Sequence, residues 1–241
     1  MTPRMLHKAI LLTGGGQRLG LYHAERILDH GWPLIVTYRT PRASIEHLVS
    51  RGALAIKADL SSVDGIASCI QAVQMHAASL RAIIHNASLW LDDAHIAQHP
   101  TDFAAMLHVH VHAPYTINLA CEPLLRSDSS QLNDIIHISD TGVRCGDAHH
   151  AAYMASKAAL ENLSLSFAAR FAPHIKVNTI APGLILFNES DDADYRQQRL
   201  QQSLLGFEPG AHVVWQTIEC LLNNPYITGA TLPVDGGRHL K

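Results

Sequence analysis

The chain has 241 residues, 47% of them hydrophobic, which is enough to enclose one large α/β core. Its formal net charge of -3 includes no long run of either sign, which excludes the basic surface expected of a nucleic-acid-binding protein. No stretch approaches the roughly 18 apolar residues of a membrane span, and residues 1–9 lack the apolar core and cleavage site of a signal peptide.

Short apolar runs alternate with longer helical patterns along the chain, without an internal repeat or a linker. Continuous apolar runs are typical of strands covered on both faces, and their alternation with helices builds a parallel sheet. We therefore predict an α/β, single-domain Rossmann fold over residues 1–241, with a doubly wound parallel sheet of about seven strands. The predicted strands are Ala9–Thr13, Leu34–Tyr38, Ala53–Lys57, Ala82–His85, Ile135–Ser139, Lys176–Ile180 and Thr231–Val234. The predicted helices include Leu19–Asp29, Phe103–Leu125, Ala152–Phe171 and Ala211–Leu222.

The first predicted strand leads into a glycine-rich turn and then a helix, in the sequence Thr13-Gly14-Gly15-Gly16-Gln17-Arg18-Leu19-Gly20. Gly14 permits a tight turn, and Gly20 lets the helix lie close to the sheet. The backbone N–H groups at the helix start then suit a pyrophosphate. A flexible turn without a ligand is the alternative, but the strand–turn–helix placement favours a dinucleotide.

The end of the second predicted strand indicates which dinucleotide binds. Enzymes that use NAD usually place a carboxylate here for the ribose hydroxyls, and the segment Tyr38-Arg39-Thr40 offers none. Arg39 suits a 2′-phosphate through charge-assisted hydrogen bonds, and Thr40 adds a hydroxyl. A solvated arginine is the alternative. The absence of a carboxylate and the presence of Arg39 together favour NADPH over NADH.

The chain contains 17 histidines, so a metal site has to be considered. His108, His110 and His112 alternate within a helical pattern, which directs neighbouring side chains to different faces. His149 and His150 are adjacent and poorly placed to share one tetrahedral site. The spacing favours scattered imidazoles over zinc ligands, and we predict no metal. The four cysteines are far apart, which indicates reduced thiols and a cytoplasmic protein.

Tyr153 and Lys157 lie four residues apart at the start of a predicted helix, so they share one helix face. An ammonium beside a phenol stabilises the phenolate and lowers the phenol pKa, which makes tyrosine a usable proton donor. By itself, this spacing usually marks a surface helix. After the glycine-rich turn and the strand pattern, it indicates a catalytic pair.

Six motifs follow the order and spacing of the short-chain dehydrogenase/reductase family, which the chain resembles over nearly its whole length. They are the glycine-rich turn, Ala58-Asp59-Leu60, Asn86-Ala87-Ser88, Tyr153-Met154-Ala155-Ser156-Lys157, Asn178-Thr179-Ile180-Ala181-Pro182-Gly183, and Thr228-Gly229 with Val234-Asp235-Gly236-Gly237. The resemblance implies a catalytic role for Tyr153 and Lys157. It also implies that NADPH contacts Gly14, Gln17, Arg18, Leu19, Gly20, Tyr38, Arg39, Thr40, Asp59, Leu60, Asn86, Ala87, Ser88, Ser139, Tyr153, Lys157, Pro182, Gly183 and Leu184.

Two departures from the general family pattern narrow the resemblance. Arg18 stands where a glycine is usual, and Asp140 stands where a catalytic serine is usual, thirteen residues before Tyr153. Pteridine reductases carry both residues. The segments Ser88-Leu89-Trp90, Leu184–Glu189 and Asp235–Leu240 are most similar to the bacterial dihydromonapterin reductases of that branch. The resemblance implies NADPH-dependent reduction of a dihydropterin, with weaker dihydrofolate reduction.

The chemistry of a pterin agrees with these departures. Its reduction adds a hydride to the carbon of a C=N bond and a proton to the nitrogen, and Asp140 beside Tyr153 can pass or share that proton. Arg18 can span the cofactor phosphates and the pterin edge, and Trp90 can stack on the bicyclic ring. We predict a substrate site of Arg18, Ser88, Trp90, Asp140 and Tyr153. The alternatives are a turn-capping Asp140, a surface ion pair of Arg18 and a core Trp90.

Two other activities were weighed. A general carbonyl reductase of the 3-oxoacyl type needs a hydroxyl at position 140, and the neighbouring Ser139 would face the other side of its strand. A nucleotide sensor would have no need of Tyr153 and Lys157. The resemblance further implies a homotetramer that packs the helices Phe103–Leu125 and Ala152–Phe171 between subunits. It places His110 where the family has an asparagine that holds a proton-relay water.

Overall fold

A computed structural model describes residues 5–128 and 131–241. Seven parallel strands form one sheet in the order β3-β2-β1-β4-β5-β6-β7. The strands are β1 Ala9–Leu12, β2 Leu34–Tyr38, β3 Leu54–Lys57, β4 Leu80–His85, β5 Asn133–Ile138, β6 Ile175–Pro182 and β7 Thr231–Val234. Every predicted strand is present, and the predicted parallel Rossmann sheet is confirmed.

Helices cover both faces of this sheet. They are α1 Arg18–Asp29, α2 Ala43–Ser50, α3 Val63–His76, α4 Asp93–Gln98, α5 Thr101–Leu107, α6 Ala113–Arg126, α7 Gly142–Cys145, α8 Ala151–Phe171, α9 Ala193–Leu200 and α10 His212–Asn223. Within β1, Ala9 and Leu11 pack into one apolar layer and Ile10 and Leu12 into the other, as the two-residue period of a strand requires. The apolar strands therefore separate two cores, which confirms the doubly wound arrangement.

The strand order reverses at β1, which pairs with β2 on one side and with β4 on the other. The loops that follow β1 and β4 consequently diverge at the carboxyl edge of the sheet. Parallel α/β sheets bind their ligands in the crevice at such a reversal. We therefore expect a ligand to bind at the segments after Leu12 and His85.

The predicted helix Phe103–Leu125 is present, but a π-helical turn, His108–His112, interrupts it between α5 and α6. Pro114, in the first turn of α6, has no N–H to donate and its ring crowds the preceding turn. The wider turn accommodates the proline, and Thr116 Oγ1 donates to the His112 carbonyl at 2.8 Å. Single π turns are frequent at functional sites. This one places His110 in the interior, with 1% of its surface exposed.

Within the described ranges, no helix is both long and apolar enough to cross a bilayer. The same ranges contain no cluster of three or more histidine, cysteine or acidic side chains suited to a metal ion.

Candidate active site

Most of the predicted site residues follow six strands at the carboxyl edge of the sheet. Those of the glycine-rich turn follow β1, the segment Arg39–Thr40 follows β2, and Asp59 follows β3. The segment Asn86–Trp90 follows β4, and Asp140 lies just beyond β5. Gly183 and Leu184 extend the same edge after β6, so the fold gathers the separate sequence motifs along one cleft.

The glycine-rich turn is packed too tightly for side chains at several positions, including Gly14 and Gly20. Gly14 has a φ of +71°, and a Cβ there would lie 2.7 Å from the Ala87 Cα. A Cβ on Gly20 would lie 2.1 Å from the Gly14 carbonyl oxygen. Thr13 Oγ1 accepts hydrogen bonds from the backbone N–H groups of Asn86 and Ala87, both at 3.0 Å. These contacts confirm the tight turn predicted at Gly14 and the close helix packing predicted at Gly20.

The start of α1 is arranged to receive an anion. Gln17 is the N-cap residue, and its side chain makes no capping hydrogen bond to the helix. The first N–H groups of the helix therefore keep their capacity to donate to a ligand. Arg39 and Thr40 are exposed at the end of β2, on the same edge. The cleft thus offers one cradle for a pyrophosphate and a separate cation for a further phosphate.

Two of the predicted cofactor residues direct their side chains away from this cleft. Leu60 is 6% exposed and packs into the core on one face of the sheet. Ser139 Oγ donates to Glu161 Oε1 at 2.8 Å, on the side opposite Asp140. The alternation of a strand explains the second case, as the sequence predicted. Both residues are left with backbone contacts to a ligand.

The structure brings Asp140, Tyr153 and Lys157 together. Tyr153 and Lys157 occupy the first turns of α8 and are 6% and 2% exposed. Lys157 Nζ donates to the Ile138 carbonyl at 2.8 Å and lies 5.7 Å from the centre of the Tyr153 ring. The side chains of Ser88 and Asp140 lie close enough to the Tyr153 hydroxyl to shift its pKa. Three motifs that are distant in sequence therefore meet at one phenol.

The pKa of Tyr153 is raised, not lowered as the sequence analysis expected. Burial is the main cause, and the Asp140 charge adds to it, whereas a hydrogen bond from Ser88 opposes the rise. Burial also raises the pKa of Asp140, although the hydrogen bond from the Gly142 N–H and the charge of Lys157 lower it in part. Burial lowers the pKa of Lys157 to about 8. The expectation was wrong because it counted the ammonium and omitted burial and the carboxylate. The phenol consequently keeps its proton near neutrality.

Arg18 reaches across the cleft from the glycine-rich turn. Its guanidinium binds the Asn188 side chain and donates to the Leu186 carbonyl at 3.0 Å. Its φ of +51° lies in the left-handed region that favours glycine, so the arginine is kept there at a backbone cost of about 1 kcal/mol. The predicted alternative of a surface ion pair for Arg18 is wrong. The contact joins the cofactor turn to the loop after β6.

Trp90 lies at the surface of the cleft, with 59% of its surface exposed, so the alternative of a core tryptophan is wrong. Its ring packs on the His150 imidazole, with centroids 4.5 Å apart and planes inclined by 30°. The other face of the indole is left available to a flat ligand. Asp140 does accept the Gly142 N–H at 2.7 Å, so it caps a turn as well as contacting Tyr153.

Several residues of the site were missed by the sequence analysis. His150 supports Trp90, and the positive charges of Arg199 and Arg238 lower the pKa of Asp140. Asn188 is the partner of Arg18. Arg238 stands directly after the Asp235-Gly236-Gly237 motif, which was a usable signal. Spacing contained no signal for the other three, because they reach the site from separate segments: His150 from the start of α8, Asn188 from the loop after β6, and Arg199 from α9.

Comparisons with known proteins agree with this geometry. A family model described as enoyl-(acyl carrier protein) reductase matches residues 17–239. A dihydromonapterin reductase of Klebsiella pneumoniae is 48% identical over 234 residues, covering 97% of this chain and 98% of that protein. A dihydromonapterin reductase of Escherichia coli K12 is 46% identical, covering 96% and 97%. The crystal structure of FolM alternative dihydrofolate reductase 1 from Brucella canis, complexed with NADP, has a TM-score of 0.87 and 26% identity, covering 97% of this chain and 94% of that chain. The chain belongs to the short-chain dehydrogenase/reductase family.

Proposed function

We propose that this protein reduces a dihydropterin of the 7,8-dihydromonapterin type to the tetrahydropterin with NADPH, and dihydrofolate more weakly. The observation that supports the proposal most directly is the placement of the Asp140 carboxyl near the Tyr153 phenol, where carbonyl reductases need a neutral hydroxyl. The names of relatives at 46–48% identity support a dihydropterin as substrate. The name of the Brucella canis structure supports dihydrofolate as a second one.

The described residues fit NADPH. The start of α1 offers backbone N–H groups that no side chain caps, which suits the pyrophosphate. Arg39 and Thr40, exposed at the end of β2, would hold the 2′-phosphate. When bound, NADPH supplies the hydride. The NADP complex of the Brucella canis protein supports this cofactor.

The chain's own groups handle the proton and the orientation of the pterin. Tyr153 donates its proton to the ring nitrogen, since its raised pKa keeps the hydroxyl protonated until the nitrogen needs it. Asp140, whose pKa is also raised, shares a proton with Tyr153 and faces the polar edge of the pterin. Lys157 lies with its ammonium near the Tyr153 ring. Trp90 covers one face of the substrate.

A substrate panel tests the proposal. NADPH oxidation is followed with 7,8-dihydromonapterin, dihydrofolate and a 3-oxoacyl thioester under the same conditions. We expect kcat/KM to be highest for dihydromonapterin, lower for dihydrofolate and lowest for the thioester. Turnover of the thioester in preference to both pterins would establish a carbonyl reductase instead. NADPH binding without turnover of any substrate would favour a sensor.

We also propose that residues 1–241 act as one NADP-binding domain in the cytoplasm and assemble as a homotetramer. The face formed by α5, the π turn and α6 is apolar, and it exposes Phe103 and Tyr115. On α8, Leu165 is 51% exposed. Burial of such side chains between copies is favourable. Light scattering tests this: a mass of four chains is expected, and Leu165→Glu is expected to reduce it.

A further inference from the structure

His110 is buried inside the π turn and uses both of its ring nitrogens. Nε2 lies 2.9 Å from Ser88 Oγ and accepts the Leu89 N–H at 3.2 Å. Nδ1 lies 2.7 Å from Ser156 Oγ. The imidazole therefore connects the loop after β4 to the first turns of α8. It also packs edge-on against the Tyr153 ring, with centroids 5.5 Å apart.

These contacts determine which ring nitrogen carries the proton. A backbone N–H can only donate, so Nε2 has to be the acceptor for Leu89. The Ser156 hydroxyl donates to the Tyr153 carbonyl at 2.7 Å, so its oxygen is left to accept from Nδ1. Burial together with the charge of Lys157 holds the pKa of His110 well below its usual range, so the ring is neutral. The geometry assigns the Nδ1–H tautomer.

Ser88 is the link between His110 and the reacting group. Its hydroxyl lies 2.9 Å from His110 Nε2 and also interacts with the Tyr153 hydroxyl, whose pKa it lowers. Leu89 N–H already donates to Nε2, so that nitrogen stays satisfied when the Ser88 proton turns away. After Tyr153 has given up its proton, the Ser88 hydroxyl can therefore rotate to the phenolate without leaving a buried acceptor unpaired. No covalent bond changes in this rotation.

We propose that His110, held as the Nδ1–H tautomer, is a positioning residue that keeps the Ser88 hydroxyl ready to stabilise the Tyr153 phenolate. The inference rests on the proposed function for the step at Tyr153, but its structural core does not depend on the substrate. His110 touches neither the substrate nor the cofactor in this account. It acts through Ser88.

The tautomer is tested without turnover. Nitrogen-15 spectra of histidine-labelled protein are recorded with and without NADPH, and the His110 signal is identified by its loss in His110→Asn. We expect the pattern of a neutral ring protonated at Nδ1, although free imidazole side chains favour protonation at Nε2. A ring protonated at Nε2, or an imidazolium near neutrality, would overturn the inference. This result stands even if no dihydropterin proves to be a substrate.

The role is tested by steady-state kinetics of Ser88→Ala, His110→Asn and the double variant. Loss of one hydrogen bond to a charged oxygen predicts a fall in kcat of about 10- to 100-fold for Ser88→Ala, with a small change in KM. If His110 acts through Ser88, the double variant is no slower than Ser88→Ala alone. If the kcat losses of the two single variants multiplied in the double variant, His110 would have an independent structural role, which would contradict the inference.

Two further variants separate positioning from folding. His110→Gln places an amide oxygen near the position of Nε2 and is expected to recover most of the kcat lost in His110→Asn. His23→Asn is the matched control, because His23 is fully buried without a hydrogen-bond partner for either ring nitrogen. It is expected to lower stability and leave kcat close to that of the wild type. Absence of rescue by His110→Gln, at unchanged melting temperature, would count against the inference.

Discussion

One aspartate lies near each end of β5, the buried Asp134 and the half-buried Asp140 just beyond the strand, and the two are used differently. At the amino end, Asp134 pairs with Arg81 and Lys176, at 2.5 and 2.7 Å. The same cations donate to the last carbonyls of α10, those of Leu221, Leu222 and Asn224. At the carboxyl end, Asp140 accepts one turn N–H and contacts Tyr153.

The difference concerns how the buried charge is compensated. Asp134 has two cations at ion-pair distance, so its environment ties strands β4, β5 and β6 to α10. Burial raises the pKa of both carboxyls, but Asp140 has a neutral phenol and a more distant ammonium beside it in place of two paired cations. Neighbouring titratable groups with displaced pKa values are characteristic of proton-transfer sites. We therefore infer a structural role for Asp134 and a chemical role for Asp140.

The largest expected effect is at the carboxyl end. Tyr153→Phe removes the proton donor and little volume, so kcat with dihydropterin should fall about 100- to 10,000-fold. The dissociation constant of NADPH and the melting temperature should stay near those of the wild type. Stopped-flow kinetics and cofactor titration measure both. A variant with near-normal kcat would remove Tyr153 from the mechanism.

The amino end should respond in the opposite manner. Asp134→Ala leaves Arg81 and Lys176 without their carboxylate, which should lower the free energy of unfolding by about 3–5 kcal/mol. The kcat of the folded fraction should not change. Urea unfolding and active-site-normalised kinetics measure the two quantities. A loss of kcat at constant stability would contradict the division between the two ends.

The cofactor edge offers a smaller effect. Arg39→Ala should weaken NADPH binding by about 1.5–3 kcal/mol, roughly 10- to 100-fold, because one charge-assisted contact is lost. NADH has no 2′-phosphate, so its binding should hardly change. Fluorescence titration with both cofactors measures the difference. Equal weakening of the two would show that Arg39 does not hold the phosphate.

Buried histidines predict a gentler dependence of stability on pH. Burial lowers the pKa of His23 and of His85 to about 4 from 6.5. As the pH falls, the unfolded chain binds protons first, so stability is full above pH 6.5 and is lost between 6.5 and 4. Each histidine contributes about 1.4 kcal/mol per pH unit in that range.

Urea unfolding at pH 7 and pH 5 tests this dependence. The carboxylates also titrate at acidic pH, so the wild type is compared with His23→Leu. This variant lacks the contribution of one buried histidine to the pH dependence of stability. The variant should lose less stability than the wild type between the two pH values. Identical losses would mean that His23 is not held neutral.

Much of this architecture was predictable, because regular elements carry periodic signals. The strands β2 and β7 have the bounds that were predicted, and the other five differ by one or two residues at their ends. The expectation of a dinucleotide at the carboxyl edge of the sheet came from the glycine-rich turn and from Arg39. The π turn was not predictable, since its cause is the local conflict between Pro114 and the helix.

The electrostatics of the site were also beyond the sequence. The direction of the Tyr153 pKa depends on the depth of burial and on the distance to Asp140, which spacing along a helix does not contain. The positions of His150 beneath Trp90 and of Arg199 near Asp140 depend on how α8 and α9 pack against the site. Pairs of residues within one element were predictable, whereas contacts between elements distant in sequence were not.

The most direct test of the account is the exchange Asp140→Ser, measured with a dihydropterin and with a small carbonyl substrate. Serine cannot share a carboxyl proton with Tyr153, so kcat/KM for the dihydropterin should fall about 100-fold or more. Activity on the carbonyl substrate should hold steady or rise, because the exchange supplies the neutral hydroxyl that ketone reduction uses. NADPH affinity, measured alongside, should stay unchanged. Unaffected pterin reduction together with lost carbonyl reduction would contradict the role given to Asp140 and favour a carbonyl reductase.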